Sequence, residues 1–279
     1  MSSSKTALVT AKQISNPLAL VQSKYYDWQW VFLLYKRSIV LILFFALWEA
    51  LPRLNIVDAA FLPPISKVLE AGWNLIVNGQ LFVHLQASLT RSLGAFFISL
   101  FTAIPLGFAI GWYRGFSDYL NPLLELLRNT SALAVLPVFM LFLGIGEASK
   151  IGLIIFGCFF PILLSTISAV RNVDPLLIKS ARTLGLNDLK LFTKVILPAA
   201  IPTIFVGIRL AGTGCILLLI AAEMIGAKAG LGYLIIYSQY NFQIPEMFVG
   251  IISITTFGFS FNYLLLAIEK RFTAWKRTG

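Results

Sequence analysis

Ile151–Val170 reads IGLIIFGCFFPILLSTISAV, a run of twenty residues without a single charge. A helix of that length rises about 30 Å, the thickness of a bilayer's hydrocarbon core. The run therefore sets lipid, not water, as the solvent of this segment. The same pattern recurs on both sides of it. Ser92–Tyr113, Asn129–Gly146 and Met247–Ile268 carry no charge, and Val195–Ala222 is interrupted only by Arg209. Ser38–Trp48 is a shorter charge-free core that Lys36 and Arg37 can lengthen by reaching out to the headgroups. The expected architecture is an all-α polytopic membrane protein with about six transmembrane helices, near 35–51, 84–112, 119–143, 151–170, 198–222 and 247–268.

Composition agrees. Charged residues make up 12% of the chain, against roughly 25% in an ordinary soluble domain. A net charge of +10 would point to nucleic acid in a soluble protein, but here the cations flank apolar runs and form no groove-reading motif, so no nucleic-acid partner is expected. Their distribution orients the chain. With the N-terminus in the cytoplasm, fifteen Lys and Arg lie inside and only Arg53, Lys67, Lys150 and Lys228 outside, with Arg91, Arg128 and Arg209 within spans. Both termini are then cytoplasmic.

The ends divide simply. Residues 1–24 are Ser-, Lys- and Gln-rich, read as a flexible cytoplasmic N-terminus with no apolar stretch suited to a cleavable signal. Tyr25–Tyr35, YYDWQWVFLLY, reads as an interfacial helix that leads, within 25–60, into the first span. Phe61-Leu62-Pro63-Pro64 marks a break, after which Ile65–Val77 has the spacing of an amphipathic helix on the membrane face. The main transmembrane domain is expected over 61–270, and 271–279 is a cytoplasmic tail.

Between the fourth and fifth spans lies a long cytoplasmic loop, 171–198. Asp174-Pro175 has the form of an N-cap followed by Pro at the first helical position. Leu176, Leu177, Ser180, Ala181 and Leu184 then follow at helical spacing, Gly185 can end that helix, and Asn187 or Asp188 can cap a second, running to about Val195. A helix–Gly–helix element on the cytoplasmic side of a compact membrane protein has the shape of a docking element.

Lys179 to Pro198, KSARTLGLNDLKLFTKVILP, resembles the EAA loop of binding-protein-dependent ABC importer permeases. That pattern is E-A-A, three residues, G, nine residues, then I-x-L-P. Ala181, Gly185, Val195, Leu197 and Pro198 match it with the expected spacing, while Lys179 replaces the Glu and Ser180 the first Ala. The stretches FLPPISKVL, NPLLELLRNTSALAVLPVFMLFLGIGEASKI and AAEMIGAKAGLGYLI extend the likeness to the nitrate, sulfonate, taurine and bicarbonate branch, most nearly the cyanobacterial nitrate and bicarbonate permeases. The resemblance implies a permease subunit, not itself an enzyme. It pairs with a second permease subunit and docks two ATPase subunits that hold ATP and Mg2+. A periplasmic or lipid-anchored solute-binding protein supplies the substrate. It implies the bacterial plasma (inner) membrane, with Lys179, Ser180, Ala181, Arg182, Leu184, Gly185, Leu186, Leu197 and Pro198 forming the coupling loop. Nitrate or nitrite is the first expectation for the cargo, then bicarbonate, then alkanesulfonates or taurine.

Candidate pathway residues are the intramembrane charges. Arg209, about 16 Å into the fifth span, needs a carboxylate or a wet cavity, since a bare charge there costs about 2.5–3.5 kcal/mol. It either attracts an anion or pairs with Glu223, Glu125 or backbone carbonyls. Arg128 has the same two readings, with Glu125 one turn away. Arg91 either serves the pathway or snorkels, and Glu223 either positions an outer gate, pairs with an Arg or sits exposed. Ala103, Gly107 and Gly111 form a small-residue ladder for close helix packing, within one subunit or at a dimer seam. The one histidine, His84, reads as a plain interfacial residue, and Cys158 and Cys215 lie in apolar runs with no metal-ligand spacing. No cofactor or metal is expected in this subunit, and no phosphate-binding G-x-x-x-x-G-K-[ST] occurs. A secondary anion transporter is the rival of another class; it calls for inverted repeats and coupled ionisable residues, neither evident here.

Overall fold

A computed structural model of the chain describes residues 39–273, which are helices and turns without a strand. The N-terminal segment 1–24, the interfacial helix expected over 25–35 and the tail beyond residue 273 lie outside the described residues. Two compact units divide the chain, residues 1–67 and 68–279.

In the first unit a helix over 39–53, α1, exposes Val40, Leu41, Ile42, Leu43 and Phe44, as suits a span against lipid. A turn through Asn55, at φ 54°, leads into the proline-rich break. Trp48 Nε1 donates to the Pro63 carbonyl at 3.1 Å. Glu49 accepts from the Ser66 amide at 3.1 Å and from Ser66 Oγ at 2.9 Å, placing a carboxylate at the first turn of α2 (Ile65–Val77). That satisfies an amide with no partner within the helix and complements the positive end of the helix dipole.

In the second unit α2 buries Val68 and Leu75 with Leu234 and Val249, leaving Leu69, Trp73 and Val77 exposed. Lys67, Glu70 and Asn74 share the remaining side, exposed, so the helix is amphipathic as expected. Then follow α3 (Gln80–Trp112), α4 (Arg114–Arg128), α5 (Ala132–Leu143) and α6 (Glu147–Arg171). After these come α7 (Pro175–Thr183), the single turn α8 (Asp188–Leu191), a π-helical stretch Phe192–Ile196, α9 (Leu197–Met224), α10 (Leu231–Tyr240) and α11 (Ile244–Phe272). By length and composition α3, α6, the run Asp188–Met224 and α11 can each cross a membrane.

The hub is α6, whose Leu153, Ile154, Cys158, Ile162 and Leu163 are wholly enclosed. It packs along α3 and α9, with α5 against it. Lipid is as apolar as leucine, so burying leucine in the protein gains little over leaving it in lipid. Association of these helices rests on close contact instead. A Cβ on Gly107 would lie 2.6 Å from Thr166 Cβ and 3.1 Å from the Leu163 carbonyl oxygen. The ladder Ala103, Gly107, Gly111 thus lets α3 approach α6 within one subunit. Cys158 and Cys215 are free, fully enclosed thiols of α6 and α9 that contact backbone carbonyls.

Three boundaries differ from the sequence reading. The expected span 119–143 is two helices, α4 and α5, bent by 97° at Asn129–Ser131. Ser131, at φ −65° and ψ 120°, is extended, and residues 129–131 are polar and poor helix formers. The fifth span begins at Asp188, ten residues before Pro198, so the expected second loop helix and the span are continuous. A proline here would clash with the carbonyl four residues back, and the Leu197 amide instead reaches the Phe192 carbonyl in a π turn that widens the helix. Finally, α10 is a short helix of its own between the fifth and sixth spans.

Candidate functional site: the helix–glycine–helix loop and the buried charges

The loop is built as its residues dictate. Asp174 accepts from the Leu176 amide at 2.8 Å, with Pro175 opening α7. Gly185 then adopts φ +76°, a left-handed conformation that costs an L-residue with a side chain about 1–2 kcal/mol. The Leu186 amide returns to the Ala181 carbonyl at 3.2 Å, closing the helix C-terminus. Asn187 accepts from the Lys190 amide at 3.0 Å and caps the turn that leads into α9. Of the expected loop residues, only Ala181 is buried; it packs with Val170, Val173, Leu191 and Ile196. Ile178 lies partly buried beside this cluster. Lys179, Ser180, Arg182 and Leu184 are exposed, Leu186 is half-buried, and Leu197 and Pro198 lie in the first turn of α9. Beneath the loop is a cavity of about 670 Å³ lined in part by Trp112, Asp118, Arg171, Ile178, Arg182 and Asp188.

At the opposite end of the unit the structure brings Arg91 and Glu223 together. Arg91 Nη1 donates to Glu223 Oε1 at 2.7 Å and to the Ala229 carbonyl at 2.6 Å. Its Nη2 donates to Glu147 Oε1 at 2.8 Å, and Nε to Glu147 Oε2. Glu223 is fully buried and accepts further from Ser88 Oγ and from the Gly232 amide, each at 2.8 Å. Gly230, at φ +133°, brings the backbone against this carboxylate; a Cβ there would meet it at 2.3–2.5 Å. Lys150, also buried, donates to the Gly146 carbonyl at 3.0 Å and lies within electrostatic reach of both glutamates. Two cations and two carboxylates make the set formally neutral, which is how buried charges are held. Arg91 therefore does not snorkel, and of the three readings of Glu223 its pairing with an Arg is the one the geometry has, in a buried pair that joins α3 to α9.

The other arginines separate. Arg209 pairs with Glu269 of α11 at 3.2 Å, not with Glu223 or Glu125. Arg128 is exposed at the bend and makes no ion pair among the described residues, Glu125 included. His84 is more than an interfacial residue, since its Nδ1 accepts from the Gly230 amide at 3.2 Å and its ring lies by Tyr233. Ser88, Glu147, Lys150 and Glu269 escaped the sequence reading. A signal for the first was present: Ser88, Arg91, Ser92, Ala95 and Ser99 fall on one face of α3 at helical spacing, a small and polar stripe that announces a packed interior.

With this geometry in place, the comparisons with known proteins are direct. Residues 103–274 match the family of binding-protein-dependent transport system inner membrane components. A putative aliphatic sulfonates transport permease, SsuC of Bacillus subtilis, is 35% identical over 84% of each chain. The taurine transport permease TauC of Escherichia coli is 35% identical over 82% of this chain and 85% of its own. A structure of the MetNI methionine ABC transporter, captured facing inward, superposes with a TM-score of 0.59 over 70% of this chain and 96% of that one; at 18% identity the likeness is one of fold. The chain belongs to the binding-protein-dependent inner-membrane component family, the multi-pass permease subunits of ABC importers.

Proposed function

We propose that this permease carries a small anion across the bacterial plasma membrane, with both chain termini in the cytoplasm. Two permease subunits line the pathway, a solute-binding protein delivers the anion from outside, and a pair of ATPase subunits holding ATP and Mg2+ drives the cycle. The loop 171–198 seats on the ATPases, so that their closure on ATP moves both loops and opens the pathway outward, and hydrolysis resets it. The observation that carries this reading is the build of the loop: a capped helix, a left-handed Gly185 and a turn continuous with the membrane-crossing α9.

Sulfonates come first among the anions, because the relatives named above are sulfonate and taurine permeases. Nitrate, which the resemblance of sequence stretches put first, and bicarbonate follow. Arg128 supports an anionic cargo, being the one of the three arginines placed in spans that no carboxylate among the described residues neutralises. The test is uptake of labelled taurine, a short alkanesulfonate, nitrate and bicarbonate at micromolar concentration in a strain lacking this gene. Loss of sulfonate uptake alone supports the first assignment, and loss of nitrate or bicarbonate uptake alone replaces it. In the same assay Gly185→Asp abolishes uptake while the protein stays in the membrane; normal uptake would remove the loop from the mechanism.

A further inference from the structure

The outward face of the loop carries a chemistry of its own. On α7, Ile178 and Ala181 turn to the body, so Leu176, Lys179 and Thr183 lie along the opposite side. Leu176 is 68% exposed, and Leu184 and Leu189, just beyond, are 79% and 73% exposed. Between 174 and 198 the cations are Lys179, Arg182, Lys190 and Lys194, and the anions Asp174 and Asp188. Four cations against two anions leave the stretch with a net charge of +2. Asp174 caps the Leu176 amide, and Asp188 is shared with Arg182 at 3.6 Å. Lys179, Lys190 and Lys194 are exposed and have no ion pair among the described residues.

A partner that buries the leucines must also desolvate the ammonium of Lys179 between them, and a buried charge is tolerated only when paired. We infer that the ATPase groove receiving this loop is acidic, with a carboxylate opposite Lys179 and apolar pockets for Leu176 and Leu184. The inference rests on the docking role proposed above and adds the charge of the partner. It makes Lys179 a determinant of partner choice, since a groove with a cation at that point sets like charges together.

The test uses the tagged full-length chain in membranes from its own cell. A carbodiimide, which joins an amine directly to a carboxylate, should link Lys179 to an Asp or Glu of an ATP-binding polypeptide, located by mass spectrometry. Lys179→Glu, an exposed change that leaves folding intact, should lower co-purification of that polypeptide about tenfold or more, and reversing the located carboxylate to Lys should restore it. If a photo-crosslinker on Lys179→Cys captures the ATPase but the carbodiimide does not, the loop docks and the acidic groove is wrong. If neither captures it, the docking role fails and the inference with it. If Lys179→Glu leaves the ATPase bound and instead weakens association with phosphatidylglycerol nanodiscs, the lysine serves lipid and the inference is overturned.

Discussion

At the scale of single residues, the three arginines placed in spans have three different fates, and each dictates a different mutational outcome. Arg91 is buried between two carboxylates, so Arg91→Ala should cost about 3–5 kcal/mol by stranding Glu223. Thermal unfolding of the detergent-solubilised protein measures it, and adding Glu223→Gln should recover part of the loss, since no unpaired charge then remains. Arg128→Gln should reduce anion uptake by roughly tenfold through lost attraction of the anion while assembly is unchanged. Arg209→Gln should act the other way, lowering stability by releasing Glu269, with little selective effect on the anion. Equal effects of the two on uptake would count against the anion role of Arg128. What the sequence disclosed here was that each charge needs a partner or a wet cavity. It did not disclose which one, because Arg91 and Glu223 lie 132 positions apart and Arg209 and Glu269 60 apart, and only packing brings them together.

Among elements, the approach of α3 to α6 is the most sensitive. Gly107→Val should force the helices apart at Thr166, costing about 1–3 kcal/mol as overpacked cores do. Gly115→Ala, where a Cβ meets nothing within 4 Å, is the control and should not lower thermal stability, alanine being the better helix former. The long apolar helices were readable from uninterrupted apolar runs, and the caps of α7 from Asp174-Pro175 and Gly185, because those signals are local, whereas the short α10 was not. The bend between α4 and α5 was not. Hydropathy averages over Asn129-Thr130-Ser131 and sees one apolar stretch, whereas a 97° change of direction depends on what α5 packs against. Nor was the fusion of the second loop helix with α9 readable, since Pro198 suggests a fresh start until a π turn absorbs it.

For the whole molecule, the testable property is orientation. Leu184→Cys should react with a membrane-impermeant maleimide only from the cytoplasmic side, and Lys228→Cys only from outside; the reverse pattern would invert the topology. Cys158 and Cys215 are enclosed and should stay silent, so the native chain is its own unlabelled background. The excess of Lys and Arg on one side carried this expectation in the sequence, because charge asymmetry is a property of composition and needs no packing. One further property follows from the unbroken helix Asp188–Met224. At 1.5 Å per residue its 37 residues make a rod about 55 Å long. One end lies beside Leu184 and the other ends at Glu223 among the buried charges. On the docking role proposed above, a push at the loop would arrive at the other end of this helix as a tilt of one lever, with the π-helical stretch Phe192–Ile196 lying between the two ends.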